Sequence, residues 1–84
     1  MKRDLALHGV DDTWTYAGGE LDMKHYEAGF SHLPIPAKQK RCLCGRHIVV
    51  NYYISPPDKS KLEVVGIGCV KLFAENVPEP SYAC

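Results

Sequence analysis

The stretch Cys42-Leu43-Cys44-Gly45-Arg46-His47 and, further on, Gly66-Ile67-Gly68-Cys69-Val70-Lys71-Leu72-Phe73 bound the part of the chain that decides the fold. Three of the four cysteines lie at these two ends. Between them, His47-Ile48-Val49-Val50-Asn51-Tyr52-Tyr53-Ile54-Ser55 and Leu62-Glu63-Val64-Val65 are rich in β-branched and aromatic residues, and Pro56-Pro57-Asp58-Lys59-Ser60 separates them. Strand, turn and returning strand predict an antiparallel hairpin. Folding the hairpin back brings its two ends together, and with them the cysteines.

Thiolates at Cys42 and Cys44 both point inward from a tight turn that Gly45 relieves, and Gly66 to Gly68 break the second strand just before Cys69. Cys69 is expected to begin a short helix, where the N-terminal dipole favours a thiolate, with Val70, Phe73, Ala74 and Val77 on one face and Asn76 and Pro78 ending it. Knuckle, hairpin and helix start are the parts of a treble-clef-like zinc site, although the knuckle is one residue shorter than the commoner C-x-x-C. His47, three residues beyond Cys44, is the first choice for a fourth ligand; His32, His25 and Cys84 remain open alternatives, and His8 is given no role. Four protein ligands make a closed, structural Zn2+ site, whereas three and a water would permit hydrolysis. Nothing marks Glu63 or Glu20 as the general base that hydrolysis needs. The competing reading is reduced core cysteines or a disulfide pair; a reducing compartment and the small size of the chain favour metal.

These motifs resemble small zinc-binding modules of bacteriophages and large DNA viruses, which share a cysteine-x-cysteine-glycine start, an isoleucine-containing strand and a Gly-x-x-Cys-[Ile/Val]-Lys-x-Phe finish. The matching residues are Cys42 to Gly45, Ile48, Ile54 and Gly66 to Phe73, a little over a third of the chain. The resemblance implies a cysteine-rich zinc site and a viral or phage origin. Where such modules carry a further Cys or His in the first strand, this chain has Tyr52 or Tyr53.

Working outward toward the N-terminus, Pro34-Ile35-Pro36 reads as an extended connector. Before it, Met23, Tyr26, Phe30 and Leu33 recur at spacings of three and four, predicting a helix of about three turns from Glu20, weakened by Gly29 and stopped by Pro34. Glu20 and Asp22 would occupy its first turn. Its apolar stripe is read as core. Asp12 to Tyr16 alternates as a short strand with Trp14 and Tyr16 on one face, which Gly18-Gly19 ends. The first ten residues read as a tail or edge strand and the last seven as a loose tail. The expected architecture is therefore α+β: one domain, 1–84, with a zinc-binding hairpin-helix core at 42–76 and an N-terminal strand and helix extension at 1–41.

With 84 residues the core must be small, and hydrophobic burial net of chain entropy leaves only about 3 to 5 kcal/mol, so a metal staple fits the size. Lysine and arginine balance aspartate and glutamate at ten each, so no global field draws the chain onto nucleic acid or a membrane surface. The absence of a long apolar run leads to the expectation of a cytoplasmic protein, in the host cell if viral. No nucleophile with a base, phosphate-cradling loop or carboxylate pair is evident, so an enzyme is not expected. Binding to a host or viral protein is the leading expectation, with Trp14, Tyr16, Tyr52, Tyr53 and Tyr82 as interface aromatics where they do not fill the core. The alternative is a nucleic-acid module using Lys38, Lys40, Arg41, Arg46 and His47, with Tyr52 or Tyr53 stacking on bases.

Overall fold

The computed structural model describes residues 9–75, 77 and 78. In chain order it contains β1 (Thr15–Gly19), α1 (Met23–Gly29), β2 (Tyr52–Ser55), β3 (Glu63–Val65) and α2 (Ile67–Val70). The three strands form one antiparallel sheet in the order β1-β2-β3, so the class is α+β. Expectations about residues 1–8, about Asn76 as a helix stop and about the tail 79–84 lie outside the described residues.

The hairpin forms with Tyr52 opposite Val65, Tyr53 opposite Val64 and Ile54 opposite Glu63. Alternation along β2 divides the apolar side chains into two clusters. Tyr52, Ile54 and Val65 join Val10, Trp14, Tyr16, Cys42, Cys69, Val70 and Val77 in one. Tyr53 and Val64 join Ala17, Tyr26 and Phe30 in the other, with Met23 and Leu33 packed against them. The apolar stripe of α1 is thus core, and α2 with the cysteines belongs to the other cluster.

Several boundaries differ from those the sequence suggests. Gly18 and Gly19 do not end β1 but form its last residues, because α1 and β2 approach too closely for side chains there. A Cβ on Gly18 would lie 2.7 Å from the Tyr26 nitrogen, and one on Gly19 would lie 2.8 Å from the Tyr52 ring. Helix α1 has seven residues and not three turns. Asp22 stands outside it as the N-cap, its carboxylate accepting from His25 N at 3.3 Å. Glu20 is also outside, accepting from Asn51 N at 2.6 Å and from Lys38 Nζ at 3.2 Å.

The strand expected from His47 begins only at Tyr52. Residues 40–48 are taken up by the knuckle, and Asn51 then binds the connector through its side chain. Its Oδ1 accepts from Gln39 N at 2.7 Å and its Nδ2 donates to Gln39 O at 2.9 Å. Helix α2 begins at Ile67, two residues before Cys69, and spans four residues, after which Phe73 N and Ala74 N still donate to Val70 O.

Candidate metal centre

Residues 40–48 form a miniature hairpin. Ile48 N donates to Lys40 O at 2.9 Å, Arg41 and His47 face each other as an antiparallel pair, and Cys42 N donates to Arg46 O at 2.7 Å. Gly45 N closes the turn onto Cys42 O at 2.8 Å. Gly45 itself sits at φ +97°, in the left-handed region where glycine alone is unstrained. The turn aims Cys42 and Cys44 the same way.

Two contacts then dock this knuckle against the rest of the fold. Leu43 N donates to Val64 O at 3.1 Å, tying the knuckle to β3. Ile48 packs so close to Gly66 that a Cβ there would lie 2.5 Å from Ile48 Cγ2 and 3.9 Å from Cys42 Cβ. Gly66 caps the start of α2, and Cys69 N returns to Gly66 O at 3.1 Å. Cys69 therefore arrives beside the knuckle by two short tethers.

The result is a cluster in which the Sγ atoms of Cys42, Cys44 and Cys69 all lie within 4.8 Å of one another. Cys42 and Cys69 are buried and Cys44 is half-buried, and all three are in the reduced thiol form. Cys69 Sγ donates to Cys44 Sγ at 3.4 Å. Burial, and then the neighbouring Cys42 and Cys44 thiols, push the Cys69 thiol far above its ordinary value. Burial in an apolar setting disfavours the charged form of Cys69, and a bound cation would reverse that balance. In a tetrahedral site with metal–sulfur bonds of about 2.3 Å, sulfurs stand about 3.8 Å apart, so the spacing of this cluster fits a soft metal ion.

Of the other ligand candidates, His47 is brought to the rim of the knuckle but is exposed and does not join the sulfur cluster. His25 Nε2 lies 3.1 Å from Tyr16 O, and His32 Nε2 lies 3.0 Å from Lys59 O in the hairpin turn, at the end of β2 and β3 remote from the cysteines. Cys84 lies outside the described residues.

The basic residues around the knuckle are all exposed: Lys38 pairs with Glu20, Arg41 Nη1 donates to Gly45 O at 3.2 Å, and Lys40 and Arg46 flank the turn. Tyr52 and Tyr53 cannot stack on bases as the sequence suggested, because both are buried in the sheet. Nor are Trp14 and Tyr16 interface aromatics. They are buried too, Trp14 being turned inward by a loop in which Thr13 N and Trp14 N donate to the Asp11 carboxylate and carbonyl. The same Thr13 hydrogen bonds, side chain first, hold the Asp11 carboxyl below the usual carboxylate range. Tyr82 lies outside the described residues.

Leu43 N and Gly66 position the centre as much as the cysteines do; the sequence marks Gly66 only as a strand break before Cys69 and gives the Leu43 N–H no role. The one available signal was Gly66, a glycine directly between a strand and a helix. No protein-family model matches the chain, and no match is found among curated proteins or solved structures.

Proposed function

We propose that the chain is a small structural-zinc protein that acts by binding another macromolecule, a host or viral protein, and that it is not an enzyme. The observation that carries the metal reading is the convergence of Cys42, Cys44 and Cys69 from two distant segments. Zn2+ would be held by these three thiolates, with His47, already on the knuckle, supplying the fourth position after a side-chain rotation. A closed set of this kind holds shape and leaves no open site for substrate. Three thiolates on one divalent ion leave a net negative charge, which supports reading Lys40, Arg41 and Arg46 as its electrostatic complement.

The binding reading draws support from Leu21, Ile35, Val49 and Leu72, large apolar side chains left exposed while Trp14, Tyr16, Tyr26, Phe30, Tyr52 and Tyr53 are buried. The viral or phage setting is the one the knuckle and Gly66–Phe73 motifs resemble, and a host-interaction or inhibitor role fits it. The nucleic-acid alternative loses its stacking groups, which weakens it.

Native mass spectrometry with and without chelator tests the metal. One zinc ion per chain, lost together with thermal stability on chelation and absent from Cys42→Ser and Cys69→Ser, is the expected result. An unchanged melting curve in either variant, with no effect of chelator, would refute a structural site. For the binding role, a gel shift with DNA or RNA at physiological salt would favour the alternative. Turnover of an ester or nucleotide that vanishes on metal removal would overturn both.

A further inference from the structure

The sulfur cluster holds its three thiols unequally, and the difference has a chemical meaning. Cys42 and Cys69 are buried, whereas Cys44 is half-buried and within reach of a small solute. Cys69 Sγ stands 3.4 Å from Cys44 Sγ, with Cys42 Sγ within 4.8 Å of both. A disulfide has an S–S bond of about 2.05 Å, so these two sulfurs need only close by a little over an ångström. Bridging Cys42 to Cys44 would instead force a strained ring across one intervening residue. The chain between Cys44 and Cys69 runs through the β2–β3 hairpin, which already holds its ends together, so bridging them leaves the sheet intact.

We propose that Cys44 and Cys69 form a peroxide-sensitive dithiol, in which Cys44 is oxidised first and Cys69 resolves it to a disulfide. The Cys44 thiolate attacks one oxygen of hydrogen peroxide; the O–O bond breaks, Cys44 becomes a sulfenic acid and the departing hydroxide takes a proton to become water. Cys69 sulfur then attacks Cys44 sulfur; the S–O bond breaks, and hydroxide leaves with the Cys69 proton as a second water. Two thiols and one peroxide thus give one disulfide and two waters, with the two electrons passing from sulfur to oxygen. A thiol reductant such as glutathione reverses the step by exchange. Where the cluster holds zinc, an arm that rests on the function proposed above, the disulfide removes two of its sulfur ligands and releases the ion.

The test uses the full chain, reduced and freed of metal under anaerobic conditions, then exposed to hydrogen peroxide, alkylated and digested with trypsin. The expected product is a species lighter by two hydrogens, in which the peptide carrying Cys42 and Cys44 is crosslinked to the peptide carrying Cys69, and fragmentation places the bridge on Cys44. Cys42→Ser should retain the crosslink and Cys44→Ser should lose it; the fragment ions of the unmodified sequence decide the matter if either variant fails to fold. A crosslink through Cys42 or Cys84, or oxidation of Cys44 to sulfinic acid with Cys69 still free, would overturn the proposal. A parallel sample loaded with zinc is read with a chromophoric chelator, expecting one ion released per bridge. Failure to bind zinc removes the zinc reading and leaves the crosslink result standing, whereas release of zinc without a crosslink overturns the dithiol.

Discussion

Gly18 and Gly29 are one residue type put to opposite uses. At φ +98° and with the Tyr26 nitrogen 2.7 Å from where a Cβ would stand, Gly18 has neither the backbone nor the space for alanine. Gly18→Ala should cost about 2 kcal/mol or more, read as a lower denaturant midpoint. Gly29 meets nothing within 4 Å at the end of α1, so Gly29→Ala should stabilise by roughly 0.5 to 1 kcal/mol in the same assay. Tyr16 offers a pH test. Burial, and then its hydrogen bond to the Asp22 carboxylate at 2.7 Å, raise its phenol well above the ordinary value of 10. A raised value means the neutral phenol is favoured in the fold, so this stability is complete below pH 10 and is lost as pH climbs through the folded value. Tyr53 is raised for the same first reason and adds to the slope. Tyr16→Phe should lose about 1 kcal/mol at pH 7 and show a shallower decline in denaturant midpoint above pH 10.

Among the elements, the hairpin and the helical stripe were legible because their periodicities are local properties of the chain. Their ends were not, because tertiary partners set them. Asp22 and Glu20 look alike in sequence, but one caps α1 and the other reaches across to the backbone of Asn51. Asn51, in the middle of a strand-like run, reads as a weak strand residue. In the fold it imitates a strand partner, satisfying both backbone groups of Gln39 and pinning the connector 34–39 beside β2. Asn51→Ala should therefore cost about 2 kcal/mol from two lost hydrogen bonds. Hydrogen exchange should localise that loss, with faster exchange at Gln39 than at Tyr53.

At the scale of the whole molecule, the cysteine cluster was legible and the place of the N-terminal half was not. Three cysteines at the two ends of a hairpin have few ways to avoid one another. Nothing local in residues 10–19 announces that Val10, Trp14 and Tyr16 share a core with Cys42 and Cys69, or that β1 pairs with β2. That pairing depends on Gly18 and Gly19 allowing close approach, a property of the partners as much as of the glycines. Because a substantial core surrounds the sulfurs, metal removal should loosen one side first. With a metal bound a thousandfold above its dissociation constant, chelation should lower the melting temperature by roughly 15 to 30 °C. Amide exchange should rise at Leu43, Cys69 and Val70 before it rises at Ala17 and Tyr53. Uniform exchange across both clusters would show that the knuckle is not a separable unit.

The bond from Leu43 N to Val64 O carries one more consequence. Strand β3 is the last of the sheet, and the outward carbonyl of Val64 belongs to a row that would otherwise stand open. Bare strand edges invite other chains to add to them, and the segment Leu62-Glu63-Val64-Val65 carries little charge to deter it. The knuckle is thus also a cover against self-association, and a chain whose knuckle has come away would be expected to polymerise before it unfolds.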